Sequence, residues 1–209
     1  MLDRLREDVR TALENDPAAR RPAEVLLYAG VHAIWAHRLE HALWERGLHL
    51  TARALSQATR FFTGVEIHPA ADLGRRVFVD HGMGVVVGET AEVGDDVVMY
   101  HGVTLGGQSD DPVKRHPTVR DGATIGANAT LIGPIVVGED ANVGAGSVVV
   151  DDVPAGATVV GVPAERVDGG AESGEAAGAD EGDEATDGDV RPRRGETRAR
   201  SDGGDDPGE

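Results

Sequence analysis

The chain changes its hydrophobic period once, near residue 63. Before that point apolar residues follow helical spacing, as in Leu2, Leu5, Val9 and Leu13. "NDPAAR" predicts a helix start, with Asp16 as cap and Pro17 in the first turn. "RPAEVLL" predicts a second proline-led start, and a long amphipathic helix continues to Trp44 with Gly47 to end it. A further helical segment runs through Ala52, Leu55 and Ala58 to Phe61. From Ile67 onward the period becomes six. Ile67, Leu73 and Val79 open the series, followed by Val87, Val93, Met99 and Leu105, then Val119, Ile125, Leu131, Val137, Val143 and Val149. The fifth place of each hexad is small or aliphatic, as in Ala71, Val77, Met83, Ala91, Val97 and Val103.

A six-residue unit holds one short strand and one corner, and a register sustained over a dozen units marks a stacked repeat. Three units close a triangular coil, coils stack at roughly 4.8 Å, and the apolar places form an inner column. The fold class expected is therefore α+β. Helices occupy residues 1–62, a parallel β-helix residues 63–167, and an acidic tail residues 168–209, which is expected to be disordered because it is rich in Gly, Ala and acid with almost nothing apolar.

The hexad register breaks twice. Two extra residues, read as Val85 and Val86, fall between the Val79 and Val87 units, and "GQSDDPVKRHP" forms an excursion, giving a protruding loop over 107–117. Insertions in repeat folds project from one face and often carry function. Asp80 and His81 lie beside the first break. Val79 and Met83 are expected to point inward and Asp80 and His81 outward. Counting one coil onward puts Val79 on Met99 and His81 beside His101. A lone surface histidine is ordinarily solvated, but a pair at a register break, with a carboxylate adjacent, is a candidate general base with a group to orient it.

Composition narrows the chemistry. The chain has no cysteine, which excludes disulfides and thiolate metal sites. The net charge is −17, and Lys114 is the sole lysine. Such a surface argues against nucleic acid or an anionic membrane as partner and is expected of a protein working in high salt. "VLLYAGVHAIWA" is too short to span a bilayer, and "MLDRLREDVR" is charged throughout, so a cytoplasmic location is expected. A histidine zinc site like that of the γ-class carbonic anhydrases needs two histidines close in sequence. His81, His101 and His116 are too widely spaced, and no metal is expected.

"DPAAR…EVLLYAGVHAIWAHRLEHALW", "GVEIHPAADLGRRVFVDHGMGVVVGETAEVGDDVVMYHGVTLGG", "KRHP" and "VPAGATVVGVPA" resemble the serine acetyltransferases of the hexapeptide-repeat acyltransferase superfamily, over about residues 11–166. The resemblance implies that the β-helix is left-handed. It also implies direct acetyl transfer from acetyl-CoA to the L-serine hydroxyl, giving O-acetylserine and CoA on the way to cysteine.

By the same resemblance His81 is the base and Glu66 its carboxylate partner, at a place where many relatives carry aspartate. Asp80 and Asp16 hold the substrate ammonium, Arg115 and His116 meet the substrate from the loop, and His101 and Glu89 wall the site. Gly107, Ala127 and Ala145 line the coenzyme groove. Trimers or dimers of trimers are implied, with each site between neighbouring β-helices. The ending "DDPGE" replaces the isoleucine with which relatives commonly dock into the cysteine-forming sulfhydrylase, so no stable complex of that kind is expected. The residue pattern by itself also admits a hexapeptide acetyltransferase for a sugar or homoserine, or a non-catalytic scaffold.

Overall fold

The computed structural model describes residues 2–167. The acidic tail expected from residue 168 lies outside them. Helix α1 spans Leu2–Asn15, α2 Pro22–Val25, α3 Ala29–Trp44 and α4 His49–Thr63. Two expectations are corrected here. Asp16 does not start a helix. It follows α1 in a turn, where its carboxylate accepts the Ala18 N–H at 2.8 Å, the local bond that lets aspartate compete with helix. The long helix from Pro22 is also interrupted. The first piece ends at Val25 with Leu26 as its cap, and Tyr28 is extended at the start of α3. The ends of α3 and α4 follow the expected chemistry. Gly47 has a φ of +76°, and Gly64 closes α4 at φ +71° with its N–H on Arg60 O.

The first coil consists of β1 (Glu66–Ile67), β2 (Asp72–Leu73) and β3 (Phe78–Asp80), and the second of β4 (Val86–Val87), β5 (Glu92–Val93) and β6 (Val98–Tyr100). The third holds β7 (Thr104–Gly106), β8 (Thr118–Val119) and β9 (Thr124–Ile125), and the fourth β10 (Thr130–Ile132), β11 (Val136–Val137) and β12 (Asn142–Val143). The last has β13 (Val148–Val149) and β14 (Thr158–Val160), with β15 (Glu165–Arg166) pairing antiparallel against β14. All other ladders are parallel and build three faces, β1-β4-β7-β10-β13, β2-β5-β8-β11 and β3-β6-β9-β12-β14-β15. Every second residue of each strand points inward, and Ile67, Val79, Val87, Met99, Leu105, Ile125 and Leu131 join one buried column.

The register break is real but sits elsewhere. Glu66 pairs with Val86 and Ile67 with Val87. Val85 is fully buried in the fifth place, whereas Met83 is 67% exposed. The two extra residues therefore lie in the corner between Asp80 and Val85, and Met83 is thrown outward with its sulfur against Gly64. Val79 does stack on Met99, and Asp80 on Tyr100.

Helix α3 closes the open end of the β-helix. Ala33 and Ile34 enter the inner column. Gly30 lies so close to the third face that a Cβ there would stand 2.0 Å from Val79 O. At the opposite end of α3, His37 Nε2 donates to Ala71 O at 3.1 Å and His41 Nδ1 to Pro69 O at 2.9 Å.

Burial pushes His37 down to about 3, so the folded protein holds it neutral. The unfolded chain protonates it below pH 6.5, and stability from this group is lost progressively as pH falls from about 6.5 towards 3. Glu40, raised by its own burial, acts in the opposite sense, so the variant difference is the informative quantity. His37→Gln keeps a donor for Ala71 O and cannot charge. The wild-type-minus-variant unfolding free energy is expected to decline by a few kcal/mol between neutral and acid pH, measured by urea titration. A flat difference would contradict it.

Candidate active site

His81 occupies the widened corner between the third and first faces. Its φ is +59°, a left-handed value uncommon outside glycine. Gly102 and Asn128, in the same corner of the next two coils, are left-handed too, at +70° and +59°. Their stacked counterpart is Gly84, at +78°, so the conformation of His81 belongs to the two-residue widening of its own corner, where its side chain is 74% exposed. The rings of His81 and His101 stand 6.0 Å apart, edge to face. The stacking expected from the hexad count is therefore present. His101 Nδ1 is buried without a hydrogen-bond partner among the described residues.

Asp80 approaches His81 Nε2 to 3.8 Å, within ion-pair range but beyond a hydrogen bond. Asp16 completes the group. A cavity of about 420 Å³ is lined by Asp16, Tyr28, Gly30, Asp80 and His81. Tyr28 donates its hydroxyl to Asp16 Oδ2 at 2.5 Å. That bond, with Asp16's bonds to Ala18, holds the Asp16 carboxyl below its usual range and pushes the Tyr28 phenol up to about 12. Two carboxylates, one kept ionised, thus face one imidazole across a small cavity. That suits a small cationic group beside a hydroxyl to be deprotonated.

Glu66 opens the first face beside the same corner but does not line that cavity. Its neighbour Ile67 points inward, so alternation turns Glu66 outward, and Arg60 at the end of α4 meets it at 3.2 Å. The carboxylate beside His81 is that of Asp80.

A second cluster forms at the next corner, between the first and second faces. Arg115 pairs with Glu89, and Lys114 Nζ reaches Glu92 at 2.9 Å and Thr90 O at 2.6 Å. The loop 107–117 is thereby tied back to the turn 89–92. His116 is buried, its ring against Gly88 and Gly107. A Cβ at Gly88 would stand 1.9 Å from His116 Cδ2, and one at Gly107 3.1 Å from Nε2. Burial, then the neighbouring Arg115, lowers the His116 pKa.

The two corners stand at opposite ends of the first face, roughly 15–20 Å of extended chain apart. The coenzyme residues divide in the same way. Ala127 and Ala145 continue the His81–His101 corner, linked by Asn128 N–H on His101 O and Gly146 N–H on Ala127 O, while Gly107 lies with His116. Sequence reasoning missed Tyr28 and Thr90. Tyr28 carried no signal of its own, and Thr90 sat inside a quoted motif without an assigned role. Among the described residues no group of three or more metal-ligating side chains comes together.

Comparison with known proteins gives this geometry its family. The bacterial transferase hexapeptide family, in its six-repeat form, matches residues 116–151. A serine acetyltransferase of Bacillus pumilus is 57% identical over 164 residues, 78% of this chain and 76% of the relative. That of Mycobacterium tuberculosis is 58% identical over 168 residues, 80% of this chain and 73% of the relative.

The chain belongs to the serine acetyltransferase family. Solved members agree in fold. The Neisseria gonorrhoeae serine acetyltransferase superimposes with a TM-score of 0.79 at 43% identity, over 82% of this chain and 66% of that one. The Brucella abortus enzyme, solved in complex with coenzyme A, gives 0.77 at 44% identity, over 79% and 67% respectively. The reaction of the family is acetyl transfer from acetyl-CoA to the serine hydroxyl, the first step from serine to cysteine. Acetyl-CoA is the co-substrate.

Proposed function

We propose that the working site of this serine acetyltransferase is assembled from two copies of the chain, with His81 as general base. The observation that carries the reading is the cavity shared by Asp16, Asp80 and His81, set against the placement of Arg115 and His116 at a different corner. The carboxylates of Asp16 and Asp80 receive the serine ammonium. The serine hydroxyl then faces the His81 imidazole. Arg115 of the partner subunit takes the serine carboxylate, a match of planar fork to carboxylate. The His101–Ala127–Ala145 corner and Gly107 of the partner subunit form the two walls of the acetyl-CoA groove. Small residues there let the pantetheine arm approach the backbone. A closed ring of three chains repeats this pairing at every interface; the bound serine and coenzyme of solved relatives support the two substrates.

Chemically, His81 accepts the hydroxyl proton as the serine oxygen bonds to the thioester carbonyl carbon. The tetrahedral intermediate collapses by breaking the carbon–sulfur bond. The departing CoA thiolate takes the proton back from the His81 imidazolium, so the base is regenerated without a covalent enzyme intermediate. The absence of cysteine is compatible with this because the nucleophile belongs to the substrate. Asp80, within ion-pair range, stabilises the imidazolium; Glu66, paired with Arg60, opens the first face beside the same corner and adds negative charge there.

The paired acids, which match an ammonium, favour an amino acid over a sugar. Release of CoA measured with serine, homoserine and simple hexoses is expected to be fastest with serine. Homoserine or a hexose turning over at the serine rate would contradict the assignment. The acid excess of the chain and its single lysine support a high-salt setting.

A further inference from the structure

Thr90 makes more directed bonds to the substrate loop than any other described residue outside it. Its Oγ1 accepts the backbone N–H of Arg115 at 3.0 Å and that of His116 at 3.2 Å. The same oxygen lies 2.9 Å from His116 Nδ1, and the Thr90 backbone N–H donates to that nitrogen at 3.2 Å. A hydroxyl has two lone pairs and one proton. Both lone pairs are taken by the Arg115 and His116 amides, so the proton is left for Nδ1. A backbone N–H can only donate. Two donors therefore converge on Nδ1, which can accept only with its lone pair. The neutral ring must then carry its proton on Nε2.

The position of Nε2 gives that proton a use. The ring packs into the space left by Gly88 and Gly107, where Nε2 would lie 2.1 Å from a Cβ at Gly88 and 3.1 Å from one at Gly107. No hydrogen bond from Nε2 is present within the described chain, while Gly107 is the residue placed on the coenzyme wall.

We propose that Thr90 is a positioning residue that locks His116 in the neutral Nε2–H tautomer. His116 then serves as a hydrogen-bond donor to a substrate oxygen and not as a second base. The proposal rests on the reading that the loop meets the substrate. It divides labour between the two corners: His81 moves the proton, and His116 keeps its own while orienting or polarising an oxygen, either of the serine carboxylate or of the thioester. It also explains why glycine stands at both 88 and 107. A side chain at 88 would push the ring off the Thr90 donors, and one at 107 would crowd Nε2.

The test needs no substrate at first. In the full-length protein with ¹⁵N-labelled histidine, the His116 signals are assigned by their loss in His116→Gln. Wild type is expected to show an unprotonated, pyridine-like Nδ1 and a protonated, pyrrole-like Nε2. Thr90→Val keeps the shape but leaves the Arg115 and His116 amides without an acceptor. With only the backbone N–H of residue 90 left on Nδ1, the variant is expected to weaken the tautomer bias and to lower kcat/KM for serine roughly tenfold, and Thr90→Ser is expected to restore both. A wild-type Nδ1 that carries the proton overturns the proposal, as does a Thr90→Val enzyme with unchanged tautomer and kinetics. If Thr90→Val does not fold, the wild-type spectrum and Thr90→Ser decide. An Nε2-protonated His116 whose replacement by glutamine leaves kcat/KM untouched would instead sink the loop-meets-substrate reading, because the tautomer would stand without a catalytic purpose.

Discussion

Replacing His81 by alanine is expected to lower kcat by about 10²–10⁴-fold, the range a positioned general base contributes, with folding and assembly intact. The side chain is 74% exposed and fills no part of the inner column, so its loss leaves no cavity. The one structural cost is conformational, because alanine must adopt the left-handed φ of +59° that this corner imposes. His81→Asn removes the base with a residue that tolerates that region better. The two variants are therefore expected to be equally inactive and to differ in thermal midpoint, with asparagine the more stable. Measurement of kcat at saturating serine and acetyl-CoA, beside the melting curve, checks both. A turnover within a few-fold of wild type in either variant would remove His81 from the mechanism.

Arg115→Ala is expected to fail in a different parameter. The guanidinium pairs with Glu89 and reaches Asp111 O at 3.3 Å, which leaves it oriented at the loop's edge with donors to spare. Loss of a charge-assisted bond to a substrate carboxylate costs about 1.5–3 kcal/mol, or roughly 10- to 150-fold in kcat/KM. The loss is expected mainly in KM for serine, since the carboxylate is bound alike before and during transfer. Stability changes little, because Glu89 remains partly solvated when unpaired. Arg115→Lys is expected to recover only part of the loss, a point charge being a poor substitute for a planar fork. A serine KM unchanged in Arg115→Ala would place the carboxylate elsewhere.

Much of the architecture was legible because the β-helix writes its register directly into the chain. Ile67, Val79, Met99 and Leu105 are apolar for one reason, their shared inward column, and a count of six finds them. The same count misplaced Met83, since a thioether in the fifth place satisfies the pattern as well as Val85 does. What decides between them is the backbone. Left-handed Gly82 and Gly84, at φ +72° and +78°, widen the corner and return Val85 to the core.

Asp16 misled for a similar local reason. An Asp-Pro pair reads as a helix start, but the residue it serves is Tyr28, twelve positions on. The pairing of Glu66 with Arg60, and of Thr90 with His116 across 26 residues, depends on which side chains meet at a corner. No periodicity encodes that. His81 and His101 were found from spacing because Asp80 stacks on Tyr100, which brings the next residue of each coil to the same corner.

The proposed site makes the assembly part of the chemistry, because its two corners stand at opposite ends of one face of the coil. On that proposal each copy supplies the acid–base corner to one neighbour and the carboxylate-binding corner to the other. The most direct test is to mix the two impaired variants and to assay at serine well below the wild-type KM, where Arg115→Ala is nearly silent. Equal amounts of His81→Ala and Arg115→Ala chains are unfolded together and refolded into mixed oligomers. Where an Arg115→Ala chain gives its intact His81 corner to the intact Arg115 corner of a His81→Ala chain, a wild-type site is rebuilt. Random assembly makes that pairing at about a quarter of interfaces, so roughly a quarter of wild-type activity is expected to return. Activity no greater than the sum of the two variants alone would show that both corners act within one chain, and would contradict the shared site.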